Sequence, residues 1–189
     1  MTRRPPGVRI IGGALRGRRI PLTANAALRP TPDRIRETLF NWLAPILPES
    51  RCLDLFAGSG ALGIEALSRG AAHTTFVEQN PESARALRAL VTQLGLAAAV
   101  HEREALAFLQ DQKAHRYDIV FLDPPFDSAL LAPALAAIAQ RDIVPDRGFL
   151  YIETRRDAPC TLPQGFRWHR HSRAGQVAFG LAIHEEQVL

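Results

Sequence analysis

From residue 51 onward, short apolar runs alternate with longer stretches whose apolar residues recur at helical spacing. Cys52-Leu53-Asp54-Leu55-Phe56, Thr74-Thr75-Phe76-Val77, Ala98-Ala99-Val100 and Tyr117-Asp118-Ile119-Val120-Phe121-Leu122 read as strands. So do Gly148-Phe149-Leu150-Tyr151-Ile152-Glu153 and Val177-Ala178-Phe179-Gly180-Leu181-Ala182-Ile183. Between them, Gly60 to Arg69 reads as a helix stopped by Gly70. Pro81 to Leu94 reads as another, stopped by Gly95, with Ala84, Leu87, Val91 and Leu94 in line. A short helix is expected over Glu104 to Gln110, and an alanine-rich one over Ser128 to Gln140 whose start Pro133 delays. The arginine-rich stretch before Val177 reads as a basic loop. Apolar strands separated by helices must be covered on both faces, which predicts an α/β domain with a mostly parallel sheet.

The first fifty residues follow another pattern. Val8-Arg9-Ile10-Ile11 and Arg18-Arg19-Ile20-Pro21-Leu22 flank Gly12, Gly13 and Gly17, which predicts a small basic hairpin. Pro32 then opens a helix at its first position, with Thr31 as the expected N-cap. Ile35, Leu39, Trp42 and Leu43 share one face of it, and Pro45 and Pro48 end it. The expected organisation is a basic N-terminal hairpin appendage over 1–30 and one larger domain over 31–189.

Charge sharpens that division. The net charge is +4, yet residues 1–40 hold nine arginines against only Asp33 and Glu37, so the remainder is mildly acidic. A second cluster, Arg155, Arg156, Arg167, Arg170 and Arg173, lies near the C-terminus. Arginine grips phosphate through two parallel hydrogen bonds and stacks on bases, so two such clusters suggest a nucleic-acid partner. A GC-rich genome explains the excess of arginine over the single Lys113, but not the clustering. The basic N-terminus has no apolar run behind it, and no stretch is long enough to span a membrane, so a cytoplasmic location is expected. Cys52 and Cys160 read as reduced thiols, and His73, His101, His115, His169, His171 and His184 lack metal-ligand spacing, so no metal site is expected.

Three motifs carry chemistry. The first, Asp54-Leu55-Phe56-Ala57-Gly58-Ser59-Gly60, leaves a strand and enters a helix, where doubly wound sheets bind cofactors. Its glycines admit a ligand close to the backbone. Gly-x-Gly also occurs in dinucleotide enzymes, but an acid placed before it suits a ligand with an α-amino group better than a pyrophosphate. The second is Glu78, 24 residues after Asp54 at the end of the next strand. A carboxylate there can accept both ribose hydroxyls; alternatively it is an exposed acid at a helix start. The third and most specific is Asp123-Pro124-Pro125-Phe126. Two prolines stiffen the backbone and have no amide hydrogen to donate. The Asp123 carboxylate and the Pro124 carbonyl can both accept from one amino group, and Phe126 can stack on a planar ring.

Together the glycine loop, the acid closing the second strand and the Asp-Pro-Pro-Phe loop resemble class I amino-methyltransferases. More narrowly, Arg9-Ile10-Ile11-Gly12-Gly13, Arg16-Gly17-Arg18, Arg29-Pro30-Thr31-Pro32-Asp33-Arg34, Glu37-Thr38-Leu39-Phe40-Asn41-Trp42-Leu43 and Glu65-Ala66-Leu67-Ser68-Arg69-Gly70-Ala71 resemble the bacterial RsmD family. The resemblance runs from about Arg9 to the Gly175-Gln176-Val177-Ala178-Phe179 strand. It implies the class I, Rossmann-like methyltransferase fold, with a mostly parallel seven-stranded sheet and helices on both faces. It also implies S-adenosylmethionine as cofactor and the N2 amino group of one guanine in 16S ribosomal RNA as substrate.

On that reading Asp54, Phe56, Ala57, Gly58, Gly60, Glu78, Gln79, Glu104, Ala105 and Asp123 bind the cofactor. Asp123, Pro124, Pro125 and Phe126 form the catalytic loop. Arg16, Arg18, Arg19, Arg29, Thr31 and Arg34 face the RNA. Glu104 departs from the aspartate usual before the alanine in this family. The expected partner is 16S ribosomal RNA in an assembled or partly assembled small subunit, with no membrane contact, and the chain is expected to act as a monomer. A DNA adenine-N6 methyltransferase shares the catalytic loop, but would be expected to carry a separate DNA-recognition domain. A non-catalytic RNA-binding protein with a decayed cofactor fold is the other alternative, against which the intact Asp54, Glu78 and Asp123 argue.

Overall fold

A computed structural model describes residues 7–21, 31–112, 117–158 and 160–185. The central sheet has seven strands: β3 (Arg51–Asp54), β4 (His73–Glu78), β5 (Ala98–Glu102), β6 (Ile119–Leu122), β7 (Phe149–Arg155), β8 (Phe166–Ala174) and β9 (Val177–His184). Their order is β5-β4-β3-β6-β7-β9-β8. The first five run parallel; β9 runs antiparallel to β7, and the edge strand β8 runs antiparallel to β9. The chain order reverses between β3 and β6, and a crevice opens there at the carboxyl ends of the strands.

Helices α1 (Asp33–Leu43), α2 (Ala61–Ser68) and α3 (Pro81–Leu94) cover one face, and α4 (Ala105–Asp111) and α5 (Leu131–Gln140) the other. On the first face, Ile35, Leu39, Phe40 and Leu43 of α1 bury against Phe121, Tyr151 and Leu181. On the second, Phe108, Leu109, Leu135 and Ile138 bury against Val120, Leu122 and Ile152. A two-stranded hairpin, β1 (Gly7–Arg9) and β2 (Arg19–Pro21), sits outside the sheet. Its Val8, Ile10 and Ile20 share a cluster with Ile64 of α2 and Leu87 and Val91 of α3. The hairpin therefore packs directly on the larger domain, while the expected boundary at residue 30 lies outside the described residues. No helix among the described residues is long and apolar enough to cross a membrane.

The elements fall close to their predicted positions, and Pro133 does delay α5 to Leu131. Two expectations fail. The basic stretch is no loop but the nine-residue edge strand β8, most of it exposed. Thr31 does not cap α1: Pro32 takes the cap position without a side-chain hydrogen bond, and the Thr31 hydroxyl is engaged elsewhere.

The N-terminal segment is held by a buried ion pair absent from the sequence reading. Arg36 of α1 and Glu65 of α2 are both fully buried, with Nη1 and Oε2 3.4 Å apart. Glu65 also accepts the amides of Ile11 and Gly12, each at 2.8 Å, and Nε of Arg69 at 2.7 Å. Arg36 donates to the carbonyl of Arg9 at 2.8 Å, to that of Thr31 at 3.3 Å and to Asp33 at 2.6 Å. One pair thus ties the hairpin, the start of α1 and α2 together. Breaking such a pair strands a charge in the interior. Glu65→Ala is expected to cost about 3–5 kcal/mol, read as a lower urea midpoint at unchanged m-value. A loss below about 1 kcal/mol would show that the network is dispensable.

Candidate active site

Four carboxylates line up along the carboxyl edge of β4, β3, β6 and β7, in that spatial order: Glu78, Asp54, Asp123 and Glu153. Leu122 pairs with Ile152, so the next residues, Asp123 and Glu153, stand beside each other.

Each acid is held by a different local device. Asp54 ends β3, is 2% exposed, and accepts the amide of Gly63 in the first turn of α2 at 3.0 Å. Gly63 lies against the Phe76 ring, where a Cβ would approach to 2.3 Å, so the helix packs tightly over β4. Glu78 spans the loop. One oxygen accepts the amide of Gly58 and the other that of Asn80, both at 2.7 Å. It does not cap α3; Asn80 does, accepting the amide of Ser83 at 3.0 Å. Gly58 and Gly60 have φ of +51° and +78°, the left-handed conformation that glycine adopts without strain.

Asp123 opens the Asp-Pro-Pro-Phe loop, and its Oδ2 accepts the Thr31 hydroxyl at 3.0 Å. The Pro125 carbonyl is taken by Ser128, from its amide at 2.9 Å and its hydroxyl at 2.6 Å, which closes the loop on itself. Phe126 stands 44% exposed beside it. Glu153, 2% exposed, accepts the Tyr151 hydroxyl at 2.6 Å.

A single cleft collects seven of the thirteen residues predicted for catalysis and cofactor binding. Phe56, Glu78, Gln79, Glu104, Ala105, Asp123 and Pro125 line it, with Leu55, Val77, Leu106 and Leu130 as further apolar wall. Pro124, Asp54, Ala57 and Gly60 are buried and do not line it, and Gly58 borders a separate hollow beside α3. Glu104 is exposed just before α4 and makes no capping bond. Arg16, Arg18, Arg19 and Arg34 are exposed, whereas Arg29 lies outside the described residues. Thr31 is 6% exposed and its hydroxyl is bonded to Asp123 of the Asp-Pro-Pro-Phe loop, so it does not stand on an open basic surface. Tyr151, Glu153 and Ser128 read from sequence only as parts of a strand and a helix and not as site residues; their signal is tertiary, since each acts on a residue brought to it by the sheet or by a turn.

A model of the family described as conserved hypothetical protein 95 matches residues 8–183. The chain belongs to that family. Ribosomal RNA small subunit methyltransferase D of Escherichia coli strain K12 is 43% identical over 182 residues, covering 95% of this chain and 91% of the relative. The protein of the same description from Haemophilus influenzae is 40% identical over 178 residues, 92% of each. The solved structure of yhhF from Escherichia coli superposes with a TM-score of 0.87 at 43% identity, covering 96% of this chain and all of that one. These are the RsmD relatives that the motifs resemble, and the fold is that of class I methyltransferases.

The cleft suits the cofactor of that class. S-adenosylmethionine carries two cationic centres, a sulfonium and an ammonium, beside a ribose and a flat adenine. Glu78, Glu104 and Asp123 in the lining supply negative charge, Glu78 can accept from hydroxyls, and Phe56, Val77, Ala105, Leu106 and Leu130 give apolar walls for a ring. Burial, opposed by the Gly63 amide and reinforced by Asp123 and Glu78, pushes the Asp54 carboxyl up to about 7. Burial likewise raises Asp123 to about 6 and Glu153 to about 8.

These shifts set a pH dependence. The folded chain holds protons that the unfolded chain has already released from about pH 4 upward, so stability falls as pH rises from about 4 and levels off once these acids have ionised in the folded chain, by about pH 8. A bound cation offsets that cost. The rise in Tm given by S-adenosylmethionine is expected to be larger near pH 8 than near pH 6, and Asp54→Asn should flatten the difference. A Tm rise independent of pH in both proteins would contradict the assignment.

Proposed function

We propose that this chain transfers a methyl group from S-adenosylmethionine to the exocyclic N2 amino group of a guanine in 16S ribosomal RNA. The observation that carries the reading is the position of Asp123: the opening residue of the Asp-Pro-Pro-Phe loop lines the same cleft as Glu78, Phe56 and Ala105. The acceptor for a base amino group and the pocket for the methyl donor are therefore one site. Family membership and the relatives' name, ribosomal RNA small subunit methyltransferase D, support the RNA substrate. The chain is taken to act in the cytoplasm as a monomer, on an assembled or partly assembled small subunit.

The bound cofactor supplies an electrophilic methyl on a positively charged sulfur. Everything else falls to the protein. The backbone of residues 54–60 would cradle the methionine end. Glu78, which braces Gly58, would accept from the ribose hydroxyls, and Glu104, Ala105 and Gln79 would border the adenine. The guanine amino group is a poor nucleophile because its lone pair delocalises into the ring. Asp123 and the Pro124 carbonyl accept its two hydrogens, localise the lone pair and aim it along one line, and such positioning supplies most of the acceleration. Asp123 takes the proton that the nitrogen releases as the new bond forms. Ser128 holds the loop rigid through Pro125, and Phe126 stacks on a base drawn out of its neighbours. The exposed Arg16, Arg18, Arg19 and Arg34, with Arg29 and the arginines of β8, meet phosphates, which position the RNA without choosing the base.

Asp123→Ala is expected to leave the Kd for S-adenosylhomocysteine within a few fold and to lower kcat on the order of 10²-fold or more. Glu78→Ala should instead weaken cofactor binding by about 1.5–3 kcal/mol in calorimetry. Near-normal turnover in the first, or an unchanged Kd in the second, would overturn that residue's role. Replacing Arg16, Arg18 and Arg19 together by alanine should flatten the salt dependence of RNA affinity by up to about two to three units of log–log slope, with cofactor binding retained. An unchanged slope would make that cluster a solvated face.

A further inference from the structure

The reaction as derived uses Asp123 but leaves its buried neighbour without a role. Glu153 is 2% exposed, and the β6–β7 register sets it beside Asp123. Three other polar groups face this pair. Tyr151, on the same strand as Glu153, donates its hydroxyl to Glu153 at 2.6 Å. Thr31, from the segment before α1, donates to Asp123 at 3.0 Å and also faces Glu153. Asp54 is the next acid along the strand ends. On β9, Glu153 pairs with Phe179, which brings no charge.

Counting hydrogens decides what this arrangement means. Thr31 has one hydroxyl hydrogen, and Asp123 receives it. Toward Glu153 the same oxygen can then only accept. Tyr151 has already given its single hydrogen to the other side of Glu153. Two ionised carboxylates flanking one Thr hydroxyl would leave one of them facing a lone pair in an interior that screens charge poorly. The arrangement closes when one acid keeps its proton. Glu153 is the more deeply buried of the two, whereas Asp123 borders the cleft.

We propose that Glu153 is a positioning residue that works as a neutral carboxylic acid: it donates to Thr31, Thr31 donates to Oδ2 of Asp123, and Asp123 is thereby kept ionised with Oδ1 turned to the base amino group. In the path Tyr151–Glu153–Thr31–Asp123 the first and last bonds are those of the structure, and the proton on Glu153 supplies the middle link, so that every donor points toward the reacting carboxylate. The Thr31 backbone is itself fixed by Arg36, so the path is anchored at both ends. The shifts agree in direction: burial and the neighbouring Asp123 hold the Glu153 proton to about 8, above the point at which Asp123 ionises. The catalytic part rests on the function proposed above; the protonation of Glu153 does not.

Two readouts separate these. The first is a carboxyl ¹³C NMR titration of the ligand-free chain labelled at glutamate, with E153Q identifying the resonance. Glu153 is expected to remain protonated at neutral pH and to titrate near pH 8. A Glu153 already ionised at pH 6 would overturn the proposal whatever the enzyme methylates. The second is the kcat–pH profile on small ribosomal subunits. Wild type should lose activity below about pH 6, where Asp123 is protonated, and again above about pH 8, where Glu153 ionises. Glu153→Ala is expected to lower kcat about tenfold or more with unchanged cofactor Kd. Gln carries an N–H where the acid carries its O–H, so Glu153→Gln should recover kcat to within about threefold of wild type and abolish the alkaline fall. Thr31→Val, which keeps the shape and removes the relay, should resemble the alanine variant. An E153Q enzyme as impaired as E153A, or one that keeps the alkaline limb, would contradict the role of a neutral acid.

Discussion

Acidic side chains do not normally gather in an apolar crevice, and the geometry of this site follows from how four of them are accommodated. Parallel strands deliver Glu78, Asp54, Asp123 and Glu153 to one edge because their carboxyl ends all point the same way: Glu78 and Asp54 end β4 and β3, Asp123 follows β6, and Glu153 lies beside it near the end of β7. Each is then engaged separately: Asp54 by the first turn of α2, Glu78 by the amides of Gly58 and Asn80, Asp123 by Thr31, and Glu153 by Tyr151. The residual negative charge is what a cationic methyl donor meets. Raised proton affinity at Asp54, Asp123 and Glu153 is the cost of assembling that field before the ligand arrives.

The N-terminal segment takes part in the same arrangement. Arg36 and Glu65 join α1 to α2 inside the protein, and Arg36 also holds the carbonyl of the residue whose hydroxyl reaches Asp123. The hairpin amides of Ile11 and Gly12 end on the same Glu65. A segment that reads as a basic RNA-facing appendage is thus also a structural support of the Asp-Pro-Pro-Phe loop. Its arginines divide accordingly: Arg16, Arg18, Arg19 and Arg34 reach solvent, while Arg36 is wholly interior.

Much of this was legible in the sequence, and for local reasons. Strand–glycine loop–helix and strand–Asp-Pro-Pro-Phe are short-range patterns, so Asp54, Glu78 and Asp123 could be placed at strand ends without knowing the fold. What escaped depends on distant partners. Arg167-Trp168-His169-Arg170-His171 has no apolar alternation because β8 is an exposed edge strand with a register shift between Trp168 and Arg170; only pairing with β9 makes it a strand. Thr31 before Pro32 has the local chemistry of a helix cap, yet its hydroxyl bonds a residue 92 positions away. Glu153 looked like the polar end of a strand, and only the β6–β7 register sets it beside Asp123. The pairing of Arg36 with Glu65 was not legible because a helix pattern does not announce an ion pair made with another helix.

The most direct measurement is methyl transfer from labelled S-adenosylmethionine to small ribosomal subunits taken from a strain lacking this gene, followed by mapping of the modified nucleotide. The expected result is label on the N2 amino group of one guanine in 16S ribosomal RNA, lost when Asp123 is replaced by alanine. Label on adenine N6 of DNA, or subunits that accept no methyl while the chain binds the cofactor, would contradict the proposed function.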